Sequence, residues 1–122
     1  MSFRVGFTVF GACLLGLAST SHAQVDTSSA NWFLSGCRAA AHNTDLSAVV
    51  FQAGVCAGAV GALAFVGSTL PNEHRFCPPS TSTNRQRMEV VVEFLDDNPA
   101  RLHETFEHLA IEAFRRDWPC KP

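Results

Sequence analysis

The chain has 122 residues, 47% of them hydrophobic and 16% charged, with a formal net charge of −2. That length allows one domain at most. The near-neutral balance contains no basic patch to hold nucleic acid and no acidic run to make a disordered tail.

Arg4 gives a short positive start, residues 5–18 are apolar, and Ser21-His22-Ala23 supplies the small residues of a cleavage site. Residues 1–23 therefore read as a secretory signal peptide, cut before Gln24. The apolar run is short for an anchor helix. No cysteine follows the cut to carry a lipid, so membrane contact is expected only through the leader, and residues 24–122 form the single domain. Cleavage removes Cys13 and leaves Cys37, Cys56, Cys77 and Cys120. An even set in a small exported domain reads as two disulfides.

Residues 24–28 are a polar lead-in. Ser28 or Ser29 can cap a first helix on which Trp32 or Phe33, Cys37, and Ala40 or Ala41 share a face. Gly36 weakens that helix by about 1 kcal/mol relative to Ala, a cost that close approach of another helix would explain. Residues 42–45 break the pattern, and Thr44 or Asp45 is placed to cap the next segment. Residues 46–70 carry no charge and a single amide, Gln52. Val49-Val50-Phe51 alone would suit a strand, but the uninterrupted length favours a helix. We expect a buried central helix, with Gly54, Gly58 and Gly61 forming a smooth strip for its neighbours. Gly54-x-x-x-Gly58 is also a transmembrane dimer pattern. Against a span, no Lys or Arg flanks the segment closely, no aromatic belt marks its ends, and Cys56 at mid-span would lie out of reach of the other exported cysteines.

Residues 71–84 are the clearest loop, since Pro78-Pro79 excludes regular helix. Thr83 and Gln86 form a capping box for a third helix, whose stripe is Met88, Val91, Val92 and Leu95. Asn98-Pro99 stops it and starts a fourth helix with Asn98 as cap and Pro99 at the first position. Leu102, Phe106, Leu109, Ala113 and Phe114 make that stripe, and Arg115 and Arg116 suit its C-terminal end. The fold expected is all-α: a small four-helix domain stapled by two disulfides. Helices three and four must be antiparallel, which brings Cys77, before one, close to Cys120, after the other. A hairpin of helices one and two pairs Cys37 with Cys56 in the same way.

Paired thiols are poor nucleophiles. The run His103-Glu104-Thr105-Phe106-Glu107-His108 invites a zinc-hydrolase reading and fails it on spacing, because its histidines are five apart and so about 140° apart around a helix. A solvated face with Glu104 and His108 paired explains it better. Asp96-Asp97 at a helix end needs no special role. No serine elbow and no phosphate loop is present, and no metal or other cofactor is expected. The absence of a catalytic constellation points to a binding protein.

The ordered set Cys37, Cys56-Ala57-Gly58, Phe76-Cys77-Pro78-Pro79, Phe94-Leu95, Asn98-Pro99 and Trp118-Pro119-Cys120 resembles the Rap1a/Tai family of type VI secretion immunity proteins. The resemblance spans residues 31–120. It implies a disulfide-bonded helical periplasmic protein without enzymatic activity, commonly dimeric, that blocks a cell-wall amidase effector by filling or covering its cleft. Ala59 stands where the family often has an aromatic, and the stretch from Cys37 to Cys56 is long for it. The polar, proline-stiffened loop tethered by Cys77 is expected to supply part of the interface through His74, Arg75 and Thr81, because a pre-ordered loop loses less entropy on binding. The alternative is a periplasmic stress or holdase protein, for which near-neutral pI and few histidines offer little acid switching.

Overall fold

The computed structural model describes residues 23–122; the leader expected over residues 1–23 lies outside them except for Ala23. The order of elements is α1 (Ala30–His42), α2 (Val50–Val66), α3 (Asn84–Asp97) and α4 (Phe106–Asp117), with 3₁₀ turns at Gly67–Thr69 and Pro99–Arg101. No strand occurs among the described residues.

Local chemistry sets most of the helix ends. The Ser29 hydroxyl accepts from the Trp32 amide at the start of α1. Asn43 ends that helix in the left-handed region, φ 51°, which Asn enters more readily than most residues. Thr83 and Gln86 form the capping box of α3 in both directions.

The core lies among the four helices, α2 contributing Cys56 and Val60 from its inner side. Phe33 of α1 stacks on Phe106 of α4 with ring centroids 4.0 Å apart. Val91, Leu95, Leu109 and Phe114 are fully buried beside them. Phe76, from the loop before α3, closes the far side by stacking on Phe114 at 4.8 Å. Cys37 is bonded to Cys56 and Cys77 to Cys120, the pairing that the two antiparallel hairpins lead to.

Two expectations need correction. Residues 46–70 are not a buried central helix. The helix begins only at Val50, and Val49 caps it with no side-chain bond. Asp45 accepts from the Ser47 amide in a turn outside it. Within α2 only Ala53, Cys56 and Val60 are buried, while Val50, Phe51 and Phe65 are 65%, 69% and 87% exposed. The segment has no charged face, so its composition conceals which side meets the core. By length and composition Val50–Thr69 suffices to cross a membrane. Its inner side nevertheless packs on α1 through the Cys37–Cys56 bond.

Helix four also starts later than Pro99. The first amides of α1 need acceptors, and they take them from this connection: Ala30 N–H donates to Glu104 O and Asn31 N–H to Leu102 O. Phe106 N–H donates back to Ser28 O. Carbonyls turned outward to α1 cannot serve a helix of their own, so α4 begins at Phe106.

Of the glycines, Gly36 is the one that sets how α1 and α2 cross. A Cβ there would lie 2.5 Å from Gln52 Cβ and 2.6 Å from the Ala53 nitrogen. We expect Gly36→Ala to cost about 1–3 kcal/mol by overpacking, despite the better helix propensity of Ala. Urea unfolding measures it, and a stabilised variant would contradict the crossing described.

Candidate partner-binding surface

Residues 70–83 join the Gly67–Thr69 turn to α3, and the chain fastens them at the centre. The Phe76 ring lies against Gly67, where a Cβ would come 2.7 Å from Phe76 Cζ. Phe76 N–H donates to Gly67 O at 3.2 Å, and Cys77 N–H to Trp118 O at 2.8 Å. With the bond to Cys120, residues 76 and 77 are fixed through both backbone and side chain.

A turn projects on each side of this anchor. In the first, His74 N–H donates to Pro71 O at 2.8 Å, and Arg75 Nε donates to Leu70 O at 3.0 Å. In the second, Ser82 N–H donates to Pro79 O at 2.9 Å, and Arg87 Nε donates to Ser82 Oγ. His74, Arg75 and Thr81 are all exposed. They do not form one cluster. His74 opens onto a groove of about 460 Å³ shared with Phe94, His108, Glu112 and Arg115. Arg75 meets Arg115 again beside Cys120 and the chain end. Thr81 faces a separate groove with Glu89, Glu93 and Trp118.

Beside the first groove lies a charged network. Arg101 donates through Nε and Nη2 to Glu104 at 2.7 and 2.8 Å, and through Nη1 and Nη2 to Glu112 at 2.6 and 2.8 Å. His108 Nε2 stands 2.9 Å from Glu112 and 3.9 Å from Glu104. The His108 partner is thus chiefly Glu112, not the Glu104 expected from the sequence. Hydrogen bonds from Arg101 hold both carboxyls below their ordinary value, and the same bonds raise Arg101.

The model of the Rap1a immunity proteins matches residues 11–120. The chain belongs to the Rap1a immunity protein family. No curated protein and no solved structure matches it.

Rap1a immunity proteins are inhibitors, so this member is not an enzyme. Its polar side chains accordingly meet structural partners. Arg38 pairs with Asp96 across α1 and α3, so the acidic pair at the end of α3 has a role the sequence did not reveal. Arg116 bridges Asp97 and Asp117 and lies 5.4 Å over the Phe94 ring. No group of three His, Cys, Asp or Glu side chains disposed to hold a metal occurs among the described residues. His103 sits before α4, beside Trp32 and Leu102, while His108 lies in the groove with His74.

Depressed carboxyl values in the folded state have a definite sign. The Arg101 network stabilises this Rap1a protein above the ordinary glutamate value of 4.5, and that contribution fades as pH falls through the lowered folded values. We expect Arg101→Met to lower Tm at pH 7, and to lower it progressively less as pH falls below 4.5. Thermal scans over a pH series check this, and a loss that does not change with pH would mean that packing of the stem, not the ion network, matters.

Proposed function

We propose that this Rap1a family member is a periplasmic protein that binds a peptidoglycan amidase delivered by type VI secretion and inhibits it by covering its cleft, acting as a homodimer. The observation carrying this reading is the family match over residues 11–120. Two disulfides suit an oxidising compartment. We propose further that the turns bearing His74, Arg75 and Thr81 enter the interface. Phe76 and Cys77 order them in advance, which reduces the entropy that binding would otherwise cost.

The test is inhibition of an amidase effector from a producing strain, measured as peptidoglycan cleavage with and without the protein. Stoichiometric loss of cleavage is the expected result. Absence of both binding and inhibition across the strain's exported amidases would overturn the reading. Changing His74, Arg75 and Thr81 together to Ala should weaken binding without lowering Tm, and unchanged affinity would remove the loop from the interface. The exposed rings of α2 favour one rival, a holdase. Protection of an aggregating client at low pH, without effector inhibition, would support it instead.

A further inference from the structure

The two disulfides have opposite surroundings. Cys37 and Cys56 are both wholly buried between α1 and α2. Cys77 is exposed and Cys120 half-buried. A thiol in solution therefore reaches the second bond while the fold stays closed. The first bond becomes accessible only when the helices around it separate.

The charge around Cys120 is mostly of one sign. Cys120 lines a cleft of about 340 Å³ together with Asn72, Arg75, Arg115 and Lys121. No Asp or Glu side chain lines that cleft, although the chain as a whole is net negative. Arg75 Nε donates to Leu70 O, which holds the guanidinium while leaving both Nη groups uncommitted. Neither Arg115 nor Lys121 makes an ion pair among the described residues. The nearest acids are engaged elsewhere: Asp117 pairs with Arg116, and Glu73 lines the neighbouring groove. Three cations thus outweigh the carboxyl group of Pro122 and the negative end of α4, which amounts to about half a unit of charge. Cationic surroundings of this kind favour a thiolate over a thiol.

We propose that Cys77–Cys120 is a thiol–disulfide exchange site, opened by a dithiol reductant while the domain is still folded. A thiolate of the reductant attacks the exposed Cys77 Sγ, forming a mixed disulfide and expelling Cys120 Sγ as a thiolate. Arg75, Arg115 and Lys121 stabilise that leaving group, and a better leaving group departs faster. The second thiol of the reductant, deprotonated, then attacks the reductant's own sulfur in the mixed disulfide and releases Cys77. Two electrons pass to the protein, the reductant leaves as a disulfide, and its two protons are taken up by solvent and by Cys77 and Cys120 as pH dictates. What the surroundings set is the rate and the order of opening, not the stability that the closed bond confers. Once it is open, residues 71–83 keep only the Phe76 packing and the backbone bonds of Phe76 and Cys77 as anchors. The exchange site rests on no property of the effector, so failure of the amidase reading would leave it standing.

Timed reduction tests it. The exported, oxidised protein is treated with dithiothreitol at pH 7, quenched by alkylation at intervals and mapped by peptide mass spectrometry. Cys77 and Cys120 should be alkylated first, with an initial rate about tenfold or more above that of Cys37 and Cys56. That rate should hold steady from 0 to 1 M urea, whereas reduction through global unfolding would quicken about fivefold or more per molar. Replacing Arg115 and Lys121 together by Gln should slow the opening about threefold or more. The pair Arg115→Lys and Lys121→Arg keeps both charges and should open as wild type does. Both charge variants alter exposed side chains, and thermal scans check that each remains folded. Simultaneous opening of the two bonds overturns the proposal, as does earlier opening of Cys37–Cys56 or a rate that climbs with urea. A Gln variant that opens as fast as wild type removes the cations from the step and overturns it equally.

Discussion

Phe76→Ala is expected to lower stability by about 3–5 kcal/mol, the range for truncating a buried phenylalanine. At this chain length that is a fall in Tm of about 15–30 °C. The ring is fully buried, stacks on Phe114 and rests on Gly67, so its removal opens a void that neighbouring backbone cannot collapse to fill. It also releases the middle of the loop that carries His74, Arg75 and Thr81. Chemical denaturation gives the first effect, and faster amide exchange over residues 71–75 gives the second. Phe65→Ala is the internal control. It removes the same atoms from a site 87% exposed, where surface substitutions stay within about 0.5 kcal/mol. Equal losses at the two positions would contradict the packing described.

Replacing both Cys77 and Cys120 by Ala should be comparably severe. A crosslink closing 43 positions restricts the unfolded chain by about 4 kcal/mol, against about 3 kcal/mol for the 19 positions between Cys37 and Cys56. Small domains have little surplus to lose, since total stability is about 5–15 kcal/mol. Cys77 is exposed and Cys120 half-buried, so the substitution leaves no core cavity and the effect is mainly that of chain freedom. The buried Cys37–Cys56 bond adds a packing loss to its smaller crosslink term. Urea titration of both double variants, beside reduced wild type, separates these contributions. A loss below about 1 kcal/mol for the Cys77 pair would mean that the Phe76 anchor alone holds the loop.

Much of this fold is local and can be read from neighbouring residues. Ser29, Thr83 and Gln86 announce helix starts because capping involves positions only three apart. The stripe of α3 is legible because Glu89 and Glu93 mark its outer side. The two cysteine pairs follow from hairpin geometry. Residues 46–70 resist the same reading, since small and apolar residues lie on both sides and nothing polar marks the solvent. The connection from residue 102 to residue 105 misleads for a different reason. Leu102 and Phe106 keep a helical spacing, but the carbonyls of Leu102 and Glu104 are committed to α1. The Arg101 network needs that connection in place before Arg101 can reach Glu112, so the sequence points to the Glu104–His108 spacing, while the closer His108–Glu112 pair emerges only in the fold. His74, Arg75 and Thr81 stand out as polar loop residues, while their division between separate grooves depends on the anchor at Phe76 and Cys77.

The bonds from Ala30 and Asn31 to Glu104 and Leu102 have a consequence for how the protein comes into being. Synthesis delivers the amino end first, yet the opening turn of α1 finds its acceptors about seventy positions downstream. The partner of Cys77, Cys120, arrives later still, 43 positions after it. A nascent chain can form individual helices and bring Cys37 to Cys56, but it cannot close the domain until residues 102–120 are free. Because distant contacts must be reached before they stabilise anything, the opening turn of α1 and the loop at Cys77 stay unfastened until residues 102–120 arrive.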